Sequence, residues 1–124
     1  RCLRRYGCDG TVSAARAACA RELMYRTEAV EAVFCGSDAM VKGALEAVQN
    51  AQMRPGKDIY LVGFGIGAGT EALLRRGLLA GTVVEDIPTQ VALMTQIALQ
   101  LYNGESVKKE NYVNYKILTA QDLL

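Results

Sequence analysis

A chain of 124 residues, 51% apolar and 22% charged, with only two Pro, has the composition of one folded domain rather than a disordered tail. Its formal charge of +1, with Lys and Arg interspersed among Asp and Glu, concentrates no field for a phosphate backbone, so no nucleic acid is expected on this domain. No run reaches the ~20 apolar residues of a bilayer span, and the start lacks the apolar core of a secretory signal.

Residues 1–12 read as an N-terminal segment, with a truncated edge strand as one option, and residues 13–124 as a single α/β lobe. Arg1, Arg4 and Arg5 read as a solvated terminus. Because the chain opens on Arg inside a charged segment, a processed or truncated product is expected rather than a complete gene product. Cys2, Cys8, Cys19 and Cys35 form no paired CxxC pattern, and with no His in the chain no metal site is expected. Cys19 and Cys35 read as small core residues, whereas Cys2 and Cys8 could bridge locally in an oxidising compartment.

Along the chain, Val12, Ala15, Cys19 and Leu23 recur at steps of three or four, which predicts an amphipathic helix from Ser13 to Arg26. Ala29 to Cys35 (AVEAVFC) is an apolar run stopping at Gly36, and it predicts a buried strand. Ser37 and Asp38 then suit a helix start, with Val41, Ala44, Val48 and Ala51 on one face through Gln52. After Arg54, Pro55 and Gly56, Ile59 to Val62 predicts a second buried strand running into a glycine-rich turn. A short helix over Thr70 to Arg76 closes at Gly77, and Leu79 to Val84 predicts a third strand ending at Glu85 and Asp86. Pro88 opens a helix carrying Val91, Met94, Ala98 and Leu101 until Asn103 and Gly104. Tyr112 to Leu118 alternates weakly and favours a last strand.

Short connections between alternating helices and apolar strands predict a three-layer α-β-α architecture with a mainly parallel sheet. Right-handed crossovers bring every strand-to-helix turn to one sheet edge, where ligands of such folds bind. Candidate ligand-binding residues are therefore Ser37, Asp38, Phe64, Gly65, Glu85 and Asp86. Each carries two readings. Ser37 and Asp38 bind a polar ligand or cap the helix that follows. Phe64 stacks on a sugar face or packs. Gly63, Gly65, Gly67 and Gly69 allow positive φ and close backbone approach, whether beside a ligand or in an ordinary turn. Glu85 and Asp86 accept hydroxyl hydrogen bonds, or Asp86 caps the helix opened by Pro88.

No catalytic residues are assigned. There is no His, and no Ser or Cys sits in a nucleophile elbow; Asp38 and Glu85 are the one carboxylate pair that could meet, without the spacing requiring it. One pattern argues for an enzyme. Gly63, Gly65 and Ala68 follow a strand in the G-x-G-x-x-A form, with Glu85 or Asp86 about 20 positions on, as in a dinucleotide-binding unit. That unit lies third in the alternation and its helix is short, so a Rossmann-type enzyme domain is the lesser alternative, and no cofactor is assigned.

Four blocks carry a family resemblance: AVFCGSDAMVKGALEAVQ (Ala32 to Gln49), DIYLVGFG (Asp58 to Gly65), LLRRGLLAGTVVED (Leu73 to Asp86) and the closing YKILTAQDLL. Their order and spacing resemble the C-terminal lobe of type I periplasmic binding proteins of the ribose-binding and related sugar-binding group. The resemblance implies one lobe of a two-lobed clamshell, its first strand and helix lacking, that binds a small polar ligand, by default a sugar. It further implies an extracytoplasmic location and delivery through the full-length protein to a membrane ABC permease, with the opposite wall from a missing lobe or a second copy. Where the ribose-type pattern has Asn, Asp and Gln, this chain has Ser37, Gly65 and Glu85. Losing an acceptor pair at Gly65 makes ribose itself a poor fit, and Glu85 favours a ligand with added donors. Shorter forms of the blocks also occur in sensor domains of lactose-repressor-type regulators, which implies a cytoplasmic alternative.

Overall fold

The computed structural model describes residues 1–25 and 28–123. The expected helix end at Arg26 therefore lies outside the described residues. In chain order the elements are α1 (Val12–Tyr25), β1 (Ala32–Phe34), α2 (Asp38–Asn50), β2 (Tyr60–Phe64), α3 (Thr70–Arg75), β3 (Gly81–Val84), α4 (Ile87–Tyr102), β4 (Lys116–Leu118) and a closing 3-10 turn at Ala120–Leu123. The four strands form one sheet in the order β1-β2-β3-β4. β1 to β3 are parallel, with Val33 opposite Leu61 and Gly63 opposite Thr82, and β4 returns antiparallel with Leu118 opposite Thr82. The chain is thus α/β with a mainly parallel sheet, as the alternation implies.

Side-chain parity divides the sheet. Ile59 and Leu61 point to the core face, where both are fully buried with Val41, Val48, Leu74 and Leu79. Since β1, β2 and β3 step the same way across the sheet, right-handed crossovers carry α2 and α3 to that one face. α1 lies over α2, and a Cβ on Gly43 would stand 2.2 Å from the Val12 carbonyl oxygen, so only glycine lets these two helices approach so closely.

The opposite face is open. Phe34, Tyr60 and Ile117 remain 63%, 49% and 73% exposed, and α4 buries none of its residues. Two expectations change here. The run read as a buried strand is buried only at Cys35, because β1 is an edge strand whose Ala32 and Phe34 face outward. The apolar stripe of Val91, Met94 and Leu101 forms as predicted but stays exposed among the described residues. Strand boundaries shift as well. β2 runs on through Gly63 and Phe64, so the turn starts at Gly65, and the last strand shortens to three residues.

The N-terminal segment holds no strand or helix before Val12. It is tied down by Tyr6, whose hydroxyl donates to Glu22, and by the Arg1–Glu28 ion pair at 2.8 Å. Between this segment and β1 lies a cavity of about 1070 Å³ whose lining includes Leu3, Tyr6, Cys19, Val33 and Phe34. All four cysteines are free thiols; Cys2 is exposed and Cys8, Cys19 and Cys35 are buried. Burial pushes the Cys19 and Cys35 thiols up to about 11.

Truncating Leu61 to Ala should cost ~2–5 kcal/mol of unfolding free energy in urea, whereas Ile117→Ser should stay within ~0.5 kcal/mol. Equal losses would show that the two sheet faces are buried alike. Because the two buried thiols titrate higher when folded, the stability they contribute is present below the ordinary thiol range and is lost as pH rises toward about 11. The melting temperature should therefore fall between pH 8 and 11, and fall less in Cys19→Ala/Cys35→Ala.

Candidate functional site

Parallel pairing of β1, β2 and β3 sends their carboxyl ends to the same sheet edge, and the candidate residues follow from where each strand stops. At the end of β1, Ser37 takes an extended backbone and caps α2, its Oγ accepting the Met40 N–H at 3.3 Å. The cap occupies a lone pair of the Ser37 oxygen and not its O–H. Asp38 is not the cap. Its Oδ1 accepts a hydrogen bond from Thr70 Oγ1 at 2.9 Å, which joins the start of α2 to the start of α3.

At the end of β2, the half-buried Phe64 ring meets Tyr115 edge to face, with centroids 5.4 Å apart. Packing thus accounts for one edge of that ring. Gly65 follows with φ +99°, a conformation that side chains rarely adopt. Its N–H donates to the Val83 carbonyl at 2.8 Å, and its carbonyl accepts from the buried Thr82 hydroxyl at 2.7 Å. These bonds tie the end of β2 to β3, and the Asp38–Thr70 contact ties the segment after β1 to the loop after β2.

At the end of β3, Glu85 is exposed, and among the described residues no hydrogen bond or ion pair engages its side chain. Asp86 caps α4 through the Thr89 N–H at 3.4 Å and pairs with Lys116 Nζ at 2.7 Å. The Lys116 hydrogen bond, followed by that of Thr89, holds the Asp86 carboxyl below its usual range. Asp86 is thereby committed to Thr89 and Lys116, and among the described residues Glu85 is the carboxylate of this strand end without such partners.

Sequence reasoning missed Tyr115 and Lys116. Both stand on or beside β4, and only the antiparallel pairing of β4 with β3 brings them to Phe64 and Asp86. A weakly alternating stretch signals a strand without signalling its neighbour.

The dinucleotide pattern fares poorly. A pyrophosphate needs backbone N–H groups at the start of a helix, yet the Gly65 N–H is spent on Val83, the Gly67 N–H on Thr70, and α3 is six residues long. Among the described residues no cluster of His, Cys, Asp or Glu is arranged to hold a metal ion. Nor is any described helix long and apolar enough to cross a membrane.

A mainly parallel α/β sheet whose first three strands end on one edge is the fold these residues build. The periplasmic binding protein domain family matches residues 4–106, and the chain belongs to that family. It is 35% identical over 94 residues to the ribose import binding protein RbsB of Salmonella typhimurium strain LT2, covering 74% of this chain and 30% of that protein. The Bacillus subtilis strain 168 RbsB is 32% identical over 92 residues, covering 74% and 29%. The chain thus spans under a third of the curated relatives it matches. Among solved structures, an ABC transporter periplasmic solute binding protein of Actinobacillus succinogenes with bound D-allose superimposes with a TM-score of 0.81 at 18% identity, over 98% of this chain and 42% of that one. A galactofuranose binding protein gives 0.80 at 17% identity, over 98% and 42%.

Replacing Lys116 by Ala should raise the Asp86 carboxyl toward the ordinary Asp range in a side-chain NMR titration. The stability from a lowered carboxyl is present above its unfolded value and is lost as pH falls through the folded one. Lys116→Ala should therefore weaken the acid-side decline of the melting temperature, and an unchanged Asp86 titration would show that the ion pair does not form.

Proposed function

We propose that this lobe forms one wall of a sugar-binding cleft in the substrate-binding protein of an ABC transporter. The observation that carries the proposal is the convergence of Ser37, Asp38, Phe64, Gly65, Glu85 and Asp86 at the strand ends of a chain in the periplasmic binding protein family. Relatives named for ribose import, and a same-fold structure holding D-allose, support a monosaccharide as ligand class. Gly65 offers no side chain to grip hydroxyls, so direct polar contact falls to Glu85 and to the O–H of Ser37, whose oxygen serves the cap only as an acceptor. A carboxylate favours a ligand rich in donors over one that offers acceptors.

Binding rather than catalysis is the reading that the site chemistry supports. Asp38 and Asp86 are committed to Thr70 and Lys116, and the Cys19 and Cys35 thiols are buried and pushed up to about 11, far from a reactive thiolate. The opposite wall of the cleft comes from a second lobe or a second copy, for which the bare faces of α4 and the sheet supply contact surface. The whole protein works in the periplasm and hands its ligand to a membrane permease.

A thermal-shift screen against D-ribose, D-allose, D-fucose, L-arabinose, polyols and amino acids tests this reading. A ligand present at 100 times its Kd should stabilise the fold by about 2.7 kcal/mol, and a monosaccharide should give the largest shift. A response confined to amino acids, or a flat screen, contradicts it.

A further inference from the structure

Asp38 sits at the first position of α2, where a carboxylate ordinarily serves the helix N-terminus. Here Ser37 does that work, and Asp38 turns instead to the loop after β2. Thr70 Oγ1 gives its one proton to Asp38 Oδ1 at 2.9 Å and accepts the Gly67 N–H at 3.1 Å. A hydroxyl has one proton and two lone pairs, so the direction of this chain is fixed: amide to hydroxyl to carboxylate. Thr70 is 4% exposed, which removes water as a ready substitute for either partner.

The second carboxylate oxygen fills space. A Cβ on Gly67 would lie 2.6 Å from Asp38 Oδ2, and one on Gly65 would lie 3.4 Å from it. The loop backbone is therefore folded onto the carboxylate as closely as glycine allows. At the other end of the loop, the fully buried Thr82 hydroxyl holds the Gly65 carbonyl at 2.7 Å. Two buried hydroxyls, on α3 and β3, thus clasp the loop from Gly65 to Gly69, and Asp38 orients one of them.

We propose that Asp38 is a positioning residue, which sets the shape of the Gly65–Gly69 loop through Thr70 and does not itself grip the ligand. The proposal rests on the sugar-binding reading for its consequence on affinity, but its effect on the loop stands apart from any ligand. A wall held in shape before binding spares the ligand the cost of ordering it. Removing the Asp38–Thr70–Gly67 chain should leave the fold intact and loosen the loop.

The test compares wild-type, Asp38→Ala, Thr70→Val, Thr70→Ser and the Asp38→Ala/Thr70→Val double variant by amide hydrogen exchange and by titration with D-allose and D-ribose. Gly67 N–H exchange should quicken by about tenfold or more in Asp38→Ala and Thr70→Val, with the Leu61 and Val48 amides unchanged as the control for folding. Thr70→Ser keeps the hydroxyl and should restore slow exchange. Sugar affinity should fall by about tenfold in each single variant and no further in the double, since both break one chain. Unchanged Gly67 exchange in Asp38→Ala overturns the proposal, even if Thr70→Val does not fold. An affinity loss far greater in Asp38→Ala than in Thr70→Val also overturns it, because Asp38 would then contact sugar directly. If wild-type binds neither sugar nor any other monosaccharide, the sugar reading fails, and Gly67 exchange alone decides the role of Asp38.

Discussion

The parallel ladder that sets Val33 beside Leu61 and Gly63 beside Thr82 is the constraint on which the site depends. Parallel neighbours end on the same edge, so three short strands deliver Ser37, Gly65 and Glu85 to one place although 48 residues of sequence separate the first from the last. The register is held by burial. Leu61 is fully enclosed while its neighbour Tyr60 is 49% exposed, and a slip of one residue would exchange them.

Burial on one face only also explains what the lobe leaves unfinished. α2 and α3 bury Val41, Val48 and Leu74 on the core face, whereas the outer face of the sheet keeps Phe34, Tyr60 and Ile117 in solvent, and the stripe on α4 is exposed as well. The chain spans under a third of the length of the curated relatives it matches.

Much of the fold was legible in the residues. Ser37 and Asp38 announced the start of α2, Gly77 the end of α3, and Asp86 with Pro88 the start of α4, because caps and proline act through local backbone chemistry. What was not legible depends on partners distant in sequence. AVEAVFC has the composition of a buried strand, but composition does not tell which neighbour is present, and β1 lies at an edge. Local chemistry favours Asp38 as a helix cap, but its partner is Thr70, 32 residues away, a contact that no local signal reveals. The glycine turn could cradle phosphate or line a sugar cleft, and only the destinations of its N–H groups separate the two. The alternation of strands and helices pointed to the strand ends as the place to look, and the four blocks pointed to the family, which the match over residues 4–106 bears out.

The most direct measurement is a backbone amide NMR titration of the chain with D-allose. If the strand ends form the wall of a sugar cleft, the amides of Ser37, Gly65 and Glu85 shift together along one saturable curve. Shifts confined to the N-terminal cavity around Leu3, Tyr6 and Val33, with those three amides still, would contradict the account.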